Sequence, residues 1–263
     1  MNKKIKKILL KKNKSKIVSL TAYSKNIAKI LDKYVDIVLV GDSMANVLYG
    51  HKNTHQISLD SIIQHTKSVK MGTKKSLLVV DMPKGSYNNI KSAEKNAKHI
   101  INTTKCEAIK IESNKKNYKI IKLLVKKNIP VMGHIGFTPQ FKKKFNIQGQ
   151  TKSQAYNLLK EAKLIEKAGA FSIVLECLSP ESAKLITNNL KIPTIGIGSS
   201  SYCDGQILVT DDMLGISGFY PKFVKKYTNL NSIIEKAIKK YTRDVKLQKF
   251  PKKKNFLNGS KLR

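Results

Sequence analysis

Short, unbroken apolar runs alternate with longer segments of helical period along this chain. Ile37-Val38-Leu39-Val40 runs into Gly41, Asp42 and Ser43, and Leu77-Leu78-Val79-Val80 runs into Asp81. Ala108-Ile109-Lys110-Ile111 leads to Glu112, and Ser172-Ile173-Val174-Leu175 leads to Glu176. A short apolar run bounded by turn residues predicts a strand buried on both faces. Such strands belong to parallel sheets with helices packed on each side. Residues 17–23, 131–136, 193–198 and 206–212 complete a set of eight strand candidates.

Between them the apolar positions change period. Ile27, Ile30 and Leu31 recur at i, i+3, i+4, as do Leu59, Ile62, Ile63, Thr66 and Val69. The same stripe returns in Ile90, Ala93, Ala97, Ile100 and Ile101, then in Tyr118, Ile121, Leu124 and Val125. Ala155, Leu158, Leu159, Ala162 and Ile165 form another, and Leu230, Ile233, Ile234, Ala237, Ile238 and Tyr241 the last. Ser58, Ser153 and Ser179-Pro180 are expected to start helices, and Gly72 and Gly169 to end them.

Strands alternating with helices over 263 residues predict an α/β fold, a (β/α)8 TIM barrel, as one catalytic domain over 1–263. Residues 1–16 carry no acid and read as a short basic helix; residues 245–263 read as a loose basic tail after a C-terminal helical extension. An open doubly wound sheet is the competing architecture. It would show a Gly-rich phosphate turn after the first strand, where this chain has Thr21-Ala22-Tyr23-Ser24.

Composition narrows the function classes. No apolar run approaches the ~20 residues that cross a bilayer, so no membrane partner is expected. Cys106, Cys177 and Cys203 are scattered without metal-type spacing and read as reduced thiols in a cytoplasmic protein. A net charge of +34 raises nucleic-acid binding, yet the only arginines are Arg243 and Arg263 and the lysines are spread along every helix. Arginine is the preferred residue for bidentate phosphate and base contacts. No specific nucleic-acid partner is therefore expected. No C-x-x-C, H-E-x-x-H or G-x-x-x-x-G-K-[ST] stretch supports zinc or P-loop chemistry.

The acids carry the chemical signal. Of 17, six (Asp42, Asp81, Glu112, Glu176, Asp211 and Asp212) fall at expected strand carboxyl ends, the face where barrel enzymes bind ligands. Carboxylates converging in a cleft repel unless a cation sits among them. Oxygen-only donors suit a hard cation, and few carboxylates with substrate oxygens suit Mg²⁺, with Mn²⁺ or Co²⁺ as the competing ions. Lys110 lies two residues before Glu112 and shares its face, facing inward where it suits a substrate carboxylate. His134 is a candidate cleft residue, whereas His51, His55, His65 and His99 read as solvated.

At these residues the chain resembles the ketopantoate hydroxymethyltransferase (3-methyl-2-oxobutanoate hydroxymethyltransferase) family, over residues 15 to 242. The motifs are Thr21-Ala22-Tyr23, Val40-Gly41-Asp42-Ser43, Gly50-His51 with Thr54, Asp81 with Pro83, and Lys110-Ile111-Glu112. They continue through Gly133-His134-Ile135-Gly136, Thr138-Pro139-Gln140, Leu175-Glu176-Cys177, Ile195-Gly196-Ile197-Gly198, Asp204-Gly205-Gln206-Ile207-Leu208-Val209 and Pro221-Lys222-Phe223.

The resemblance implies a barrel enzyme of pantothenate and coenzyme A biosynthesis. It would transfer a hydroxymethyl group from 5,10-methylenetetrahydrofolate to 3-methyl-2-oxobutanoate, giving 2-dehydropantoate through a Mg²⁺-stabilised enolate. It further implies that Asp42 and Asp81 bind one Mg²⁺ per subunit with Glu112 near the metal shell. Asp42, Ser43, Asp81 and Lys110 would bind the oxo acid, and Glu176 would accept the proton. Family members are often decamers, so a homo-oligomer is expected. Ser24, Ala45, Lys84, Gln150 and Ser200 depart from the family pattern and bear on the folate pocket and loop geometry. The alternatives are another Mg²⁺-dependent enolate-forming enzyme of the phosphoenolpyruvate mutase/isocitrate lyase type, and a basic nucleic-acid-binding protein without catalysis.

Overall fold

The computed structural model describes residues 2–113, 117–142, 145–218 and 220–256. The chain divides into two compact units, Met1–Thr210 and Asp211–Arg263, and the barrel lies wholly within the first. In chain order this unit runs α1 (Lys3–Leu10), β1 (Ile17–Thr21), α2 (Lys25–Leu31), β2 (Ile37–Val40), α3 (Met44–Val47), α4 (Leu59–Gly72) and β3 (Leu77–Asp81). It continues through α5 (Ile90–Thr104), β4 (Ala108–Glu112), α6 (Tyr118–Lys126), β5 (Val131–Gly136), α7 (Lys152–Lys167), β6 (Ser172–Glu176), α8 (Pro180–Asn189), β7 (Thr194–Ile197) and β8 (Gly205–Leu208). The strands close in the order β1 to β8, every neighbouring pair parallel, with β8 returning to β1. This is the predicted (β/α)8 architecture.

Two apolar layers hold the barrel. The outer one packs Val38, Val40, Leu78, Val80, Ile109, Ile111, Ile173 and Leu175 of the strands against helix residues such as Ile62, Ala97, Ile121 and Ile165. The inner one fills the barrel with Ile17, Ile37, Leu39, Leu77, Val79, Met132, Val174 and Ile207. Ile5 and Ile8 of α1 join that inner cluster, so the basic N-terminal helix plugs the end of the barrel where the strands begin. Burying two such side chains contributes on the order of 3–6 kcal/mol. Three acids that immediately precede strands pin the same segment. Lys11 pairs with Asp36 at 2.7 Å, Lys4 with Glu107 at 3.0 Å and Lys12 with Asp204 at 2.8 Å.

Several boundaries differ from the sequence expectation. The first strand stops at Thr21. Ser153 does not cap α7; Thr151 does, accepting from the Gln154 N–H. Thr151-x-x-Gln154 has capping-box spacing, which outcompetes a lone serine. Ile30 is exposed, and α2 instead buries Ala28 and Leu31. Asp211 and Asp212 do not end a strand. β8 stops at Leu208, and the two acids occupy the first turn of helix α9 (Thr210–Leu214), where the helix dipole favours them. The strands alternate with helices except between β7 and β8, which are joined by the 198–204 loop.

In the second unit, α10 (Leu230–Lys246) exposes Ile233, Ile238 and Tyr241, and Tyr241 packs edge-on against Phe250 at 5.7 Å. The tail expected to be loose from 245 begins inside this helix, and its residues 257–263 lie outside the described residues. All three cysteines are buried and free. No helix among the described residues is long and apolar enough to cross a membrane.

Candidate active site

Strand register builds one polar cluster at the carboxyl mouth of the barrel. Val40 pairs with Val80, so the turn after β2 places Asp42 beside Asp81 at the end of β3. The backbone N–H of Asp42 donates to Asp81 Oδ2 at 3.1 Å. Asp81 pairs in register with Lys110, and Lys110 Nζ lies 2.6 Å from Asp81 Oδ1. Glu112 pairs in register with His134, and Gly136 with Glu176. His134 then stands between two acids, with Nε2 3.1 Å from Glu176 Oε2 and Nδ1 3.6 Å from Glu112 Oε1. Neither contact is aligned as a hydrogen bond. Ser43 is half-buried, and its hydroxyl meets the Tyr23 hydroxyl at 2.9 Å.

The period of two explains why Lys110 and Glu112 face inward together, and both are buried. Most side chains of the cluster are almost closed off, at 4% exposure for Asp81, 6% for Lys110 and 2% for Glu112. Glu176 is more open than these three side chains, at 15%.

Burial sets the electrostatics. It pushes the Asp42 carboxyl up to about 7, reinforced by the neighbouring Asp81 charge and opposed by Lys110. Glu176 is pushed up to about 8 by burial, with Lys110 pulling the other way. Burial, then Asp42, holds Glu112 well above the usual carboxylate range. Burial opposes the Lys110 charge, but Asp81, Glu112 and Asp42 outweigh it and keep the ammonium protonated. His134 is driven well below its ordinary value by burial and then by Lys110, so it is neutral. Among the described residues no three His, Cys, Asp or Glu side chains meet at ligating geometry. Asp42 and Asp81 form the adjacent pair.

Comparison with known proteins identifies the family. A family profile described as Ketopantoate hydroxymethyltransferase matches residues 2–253. The chain belongs to the ketopantoate hydroxymethyltransferase family. A relative named 3-methyl-2-oxobutanoate hydroxymethyltransferase from Pelagibacter ubique (strain HTCC1062) is 53% identical over 97% of this chain and 99% of its own length. One of the same name from Clostridioides difficile (strain 630) is 47% identical over 91% of this chain and 90% of its own. Among solved structures, 2,3-dimethylmalate lyase, a PEP mutase/isocitrate lyase superfamily member, matches with a TM-score of 0.65 at 15% identity, covering 92% of this chain and 88% of that one. Phosphonopyruvate hydrolase in complex with oxalate and Mg²⁺ matches with a TM-score of 0.60 at 11% identity, covering 98% of this chain and 92% of that one. These structural likenesses share the barrel; the family match makes the chain a hydroxymethyltransferase.

Membership of this family bears on the residues that sequence reasoning passed over. His65 and His55 are not free in solvent. His65 Nδ1 meets the Tyr23 carbonyl at 2.8 Å and its Nε2 meets the Tyr49 hydroxyl at 3.1 Å. His55 Nε2 meets the Pro139 carbonyl at 2.9 Å, and Lys84 Nζ lies 3.1 Å from His55 Nδ1. Gln140, quoted only as part of a family motif, is buried in the cluster and bonded to Asp42. Its signal was the Thr138-Pro139-Gln140 stretch after β5, a polar loop whose direction no local period reveals.

Proposed function

We propose that this enzyme transfers a hydroxymethyl group from 5,10-methylenetetrahydrofolate to 3-methyl-2-oxobutanoate, giving 2-dehydropantoate, at a divalent-cation site formed by Asp42 and Asp81. The observation that carries the reading is the adjacency of these two buried acids, with Lys110 against one of them. The donor set fits a hard cation. Two neighbouring buried acids, one of them pushed up to about 7 by burial and then by the other's charge, are held in a state that a bound cation relieves. Two carboxylates completed by substrate and water oxygens suit Mg²⁺. Bound there, Mg²⁺ supplies Lewis-acid polarisation of the keto group.

The chain's own groups do the rest. Ser43 and Lys110 hold the oxo acid, Lys110 pairing as a point charge with the substrate carboxylate. Glu176 takes a proton from C3 of the oxo acid. Its carboxylate ends β6, whereas Asp42 and Asp81 follow β2 and end β3, so it approaches the substrate from another side. A base pushed up to about 8 holds a proton strongly enough to drive the transfer and is still partly ionised near neutrality. Neutral His134 contacts Glu176 without charging it, and limits where the carboxylate can swing. Glu112 stands near the cation, joined to Asp42 through Gln140.

The assembled enzyme is a homo-oligomer, a decamer as in its family, in the cytoplasm. Turnover of 3-methyl-2-oxobutanoate with methylenetetrahydrofolate and Mg²⁺ tests the reaction. A preparation that binds Mg²⁺ and the oxo acid but yields no 2-dehydropantoate would overturn it.

A further inference from the structure

Gln140 is 1% exposed, and every polar atom of its side chain is engaged in the cluster. Its Nε2 donates to Asp42 Oδ2 at 2.8 Å and to the Met82 carbonyl at 3.0 Å. Its Oε1 accepts from the Tyr87 hydroxyl at 2.5 Å. Its backbone N–H donates to Glu112 Oε2 at 3.0 Å. One loop residue therefore touches two of the acids that strand register brings together.

The amide has only one workable orientation. Reversed, it would aim Oε1 at the Asp42 carboxylate and the Met82 carbonyl, two acceptors. A phenol can accept as well as donate, so these two acceptors set the direction of the amide, and the Tyr87 hydroxyl donates to the Oε1 that they leave facing it. Burial, and then the Glu112, Asp42 and Asp81 charges, keep that phenol protonated. Tyr87 thus anchors the far end of an amide whose direction Asp42 and Met82 set. An Asp42 carboxylate bonded through Oδ2 is held in one orientation, with the Thr54 side chain also beside it.

We propose that Gln140, locked by Tyr87, is a positioning residue that orients the Asp42 carboxylate for the divalent cation and ties Glu112 to the same site. This rests on the cation reading of Asp42 and Asp81. The role is one of outer-shell support: such partners hold ligating carboxylates, and their loss typically lowers metal affinity or activity about 10–100-fold.

The test is Mg²⁺ titration by calorimetry on the whole enzyme without substrate, for wild type, Tyr87→Phe, Gln140→Leu and the double variant. Gln140→Leu is expected to weaken Mg²⁺ binding about tenfold or more, and Tyr87→Phe by a smaller factor. Tyr87 acts through Gln140, so the double variant should bind like Gln140→Leu alone rather than showing the product of the two effects. A packing role would lower the melting temperature while leaving Mg²⁺ affinity and additivity untouched, and that result overturns the proposal. Should Gln140→Leu fail to fold, Tyr87→Phe decides alone, since it keeps the ring. Wild-type Mg²⁺ affinity in that variant is then the overturning outcome. Failure of the underlying reading looks different, because wild type itself would then bind no Mg²⁺ at this site and Asp81→Asn would change nothing.

Discussion

Lys110 Nζ lies 2.6 Å from Asp81 Oδ1 at the carboxyl mouth of the barrel, both side chains almost wholly buried. A lysine inside a barrel strand is costly unless its charge is matched. Here Asp81, Glu112 and Asp42 all favour its charged form, and its charge in turn reaches Glu176. Removing one member of a buried pair leaves the other uncompensated, at a cost of about 3–5 kcal/mol. Lys110→Met should therefore destabilise the metal-free protein by about that much and raise the KM for the oxo acid. Added Mg²⁺ should restore more stability to this variant than to wild type, because Asp81 is then without its internal cation. Denaturant titrations with and without Mg²⁺ measure the difference.

Asp81→Asn should weaken Mg²⁺ binding by at least about tenfold. One unit charge a few ångströms from a cation is worth more than about 1.4 kcal/mol even in a medium of dielectric ~20. The Asp42 carboxyl, no longer facing a second charge, should move down toward its ordinary value. Calorimetry gives the affinity. An unchanged dissociation constant would remove Asp81 from the ligand set.

Glu176→Gln should abolish exchange of the C3 proton of 3-methyl-2-oxobutanoate with solvent, while Mg²⁺ binding stays near wild type. Proton exchange followed by NMR in D₂O reads this directly. The same variant should carry a pH signature in the metal-free protein. Glu176 is held at about 8 in the fold, against an ordinary value of 4.5. Between those values the folded state keeps a proton that the unfolded state has released. Stability attributable to this group is therefore full below about 4.5 and declines as pH rises toward 8. Glutamine has no such dependence. The melting temperature of the variant should gain on wild type as pH increases across that window, and a constant difference would contradict the shift.

Gly136 ends β5 at a φ of +99°, a region that side chains rarely adopt. A Cβ there would collide with the Glu176 carbonyl and with Leu178. Gly136→Ala should therefore lower stability by more than about 1 kcal/mol and also displace the base. The expected outcome is a larger loss in kcat than in Mg²⁺ affinity, since Asp42 and Asp81 lie on other strands. Parallel measurement of exchange rate and Mg²⁺ binding separates the two.

Some of this was legible residue by residue. The run Ile37–Val40 ending at Asp42, and its counterparts ending at Asp81, Glu112 and Glu176, reveal both the strands and the acids they present. Lys110 and Glu112 could be assigned to one face from spacing alone. Ser179-Pro180 marked its helix correctly, with the Ser179 side chain capping the Ser182 N–H. Asp211 and Asp212 misled because Val209 extends the apolar run past the end of β8, and the acids that favour the first turn of α9 read equally well as the end of that run.

The amino-acid sequence by itself determined the element types, the inward faces and the acids available, because side-chain period and turn chemistry act over a few neighbouring residues. It also carried the family motifs. Only the tertiary structure decided which acids gather in the polar cluster and which pin the N-terminal segment. Asp36, Glu107 and Asp204 precede strands and bind the lysines of the N-terminal segment at one mouth, while Asp42, Asp81, Glu112 and Glu176 follow strands and gather at the other. Only closure of the ring brings Gln140 to Asp42 from 98 positions away. Those contacts depend on strand register and barrel closure, which are set by packing between distant segments and leave no trace in any local stretch of residues.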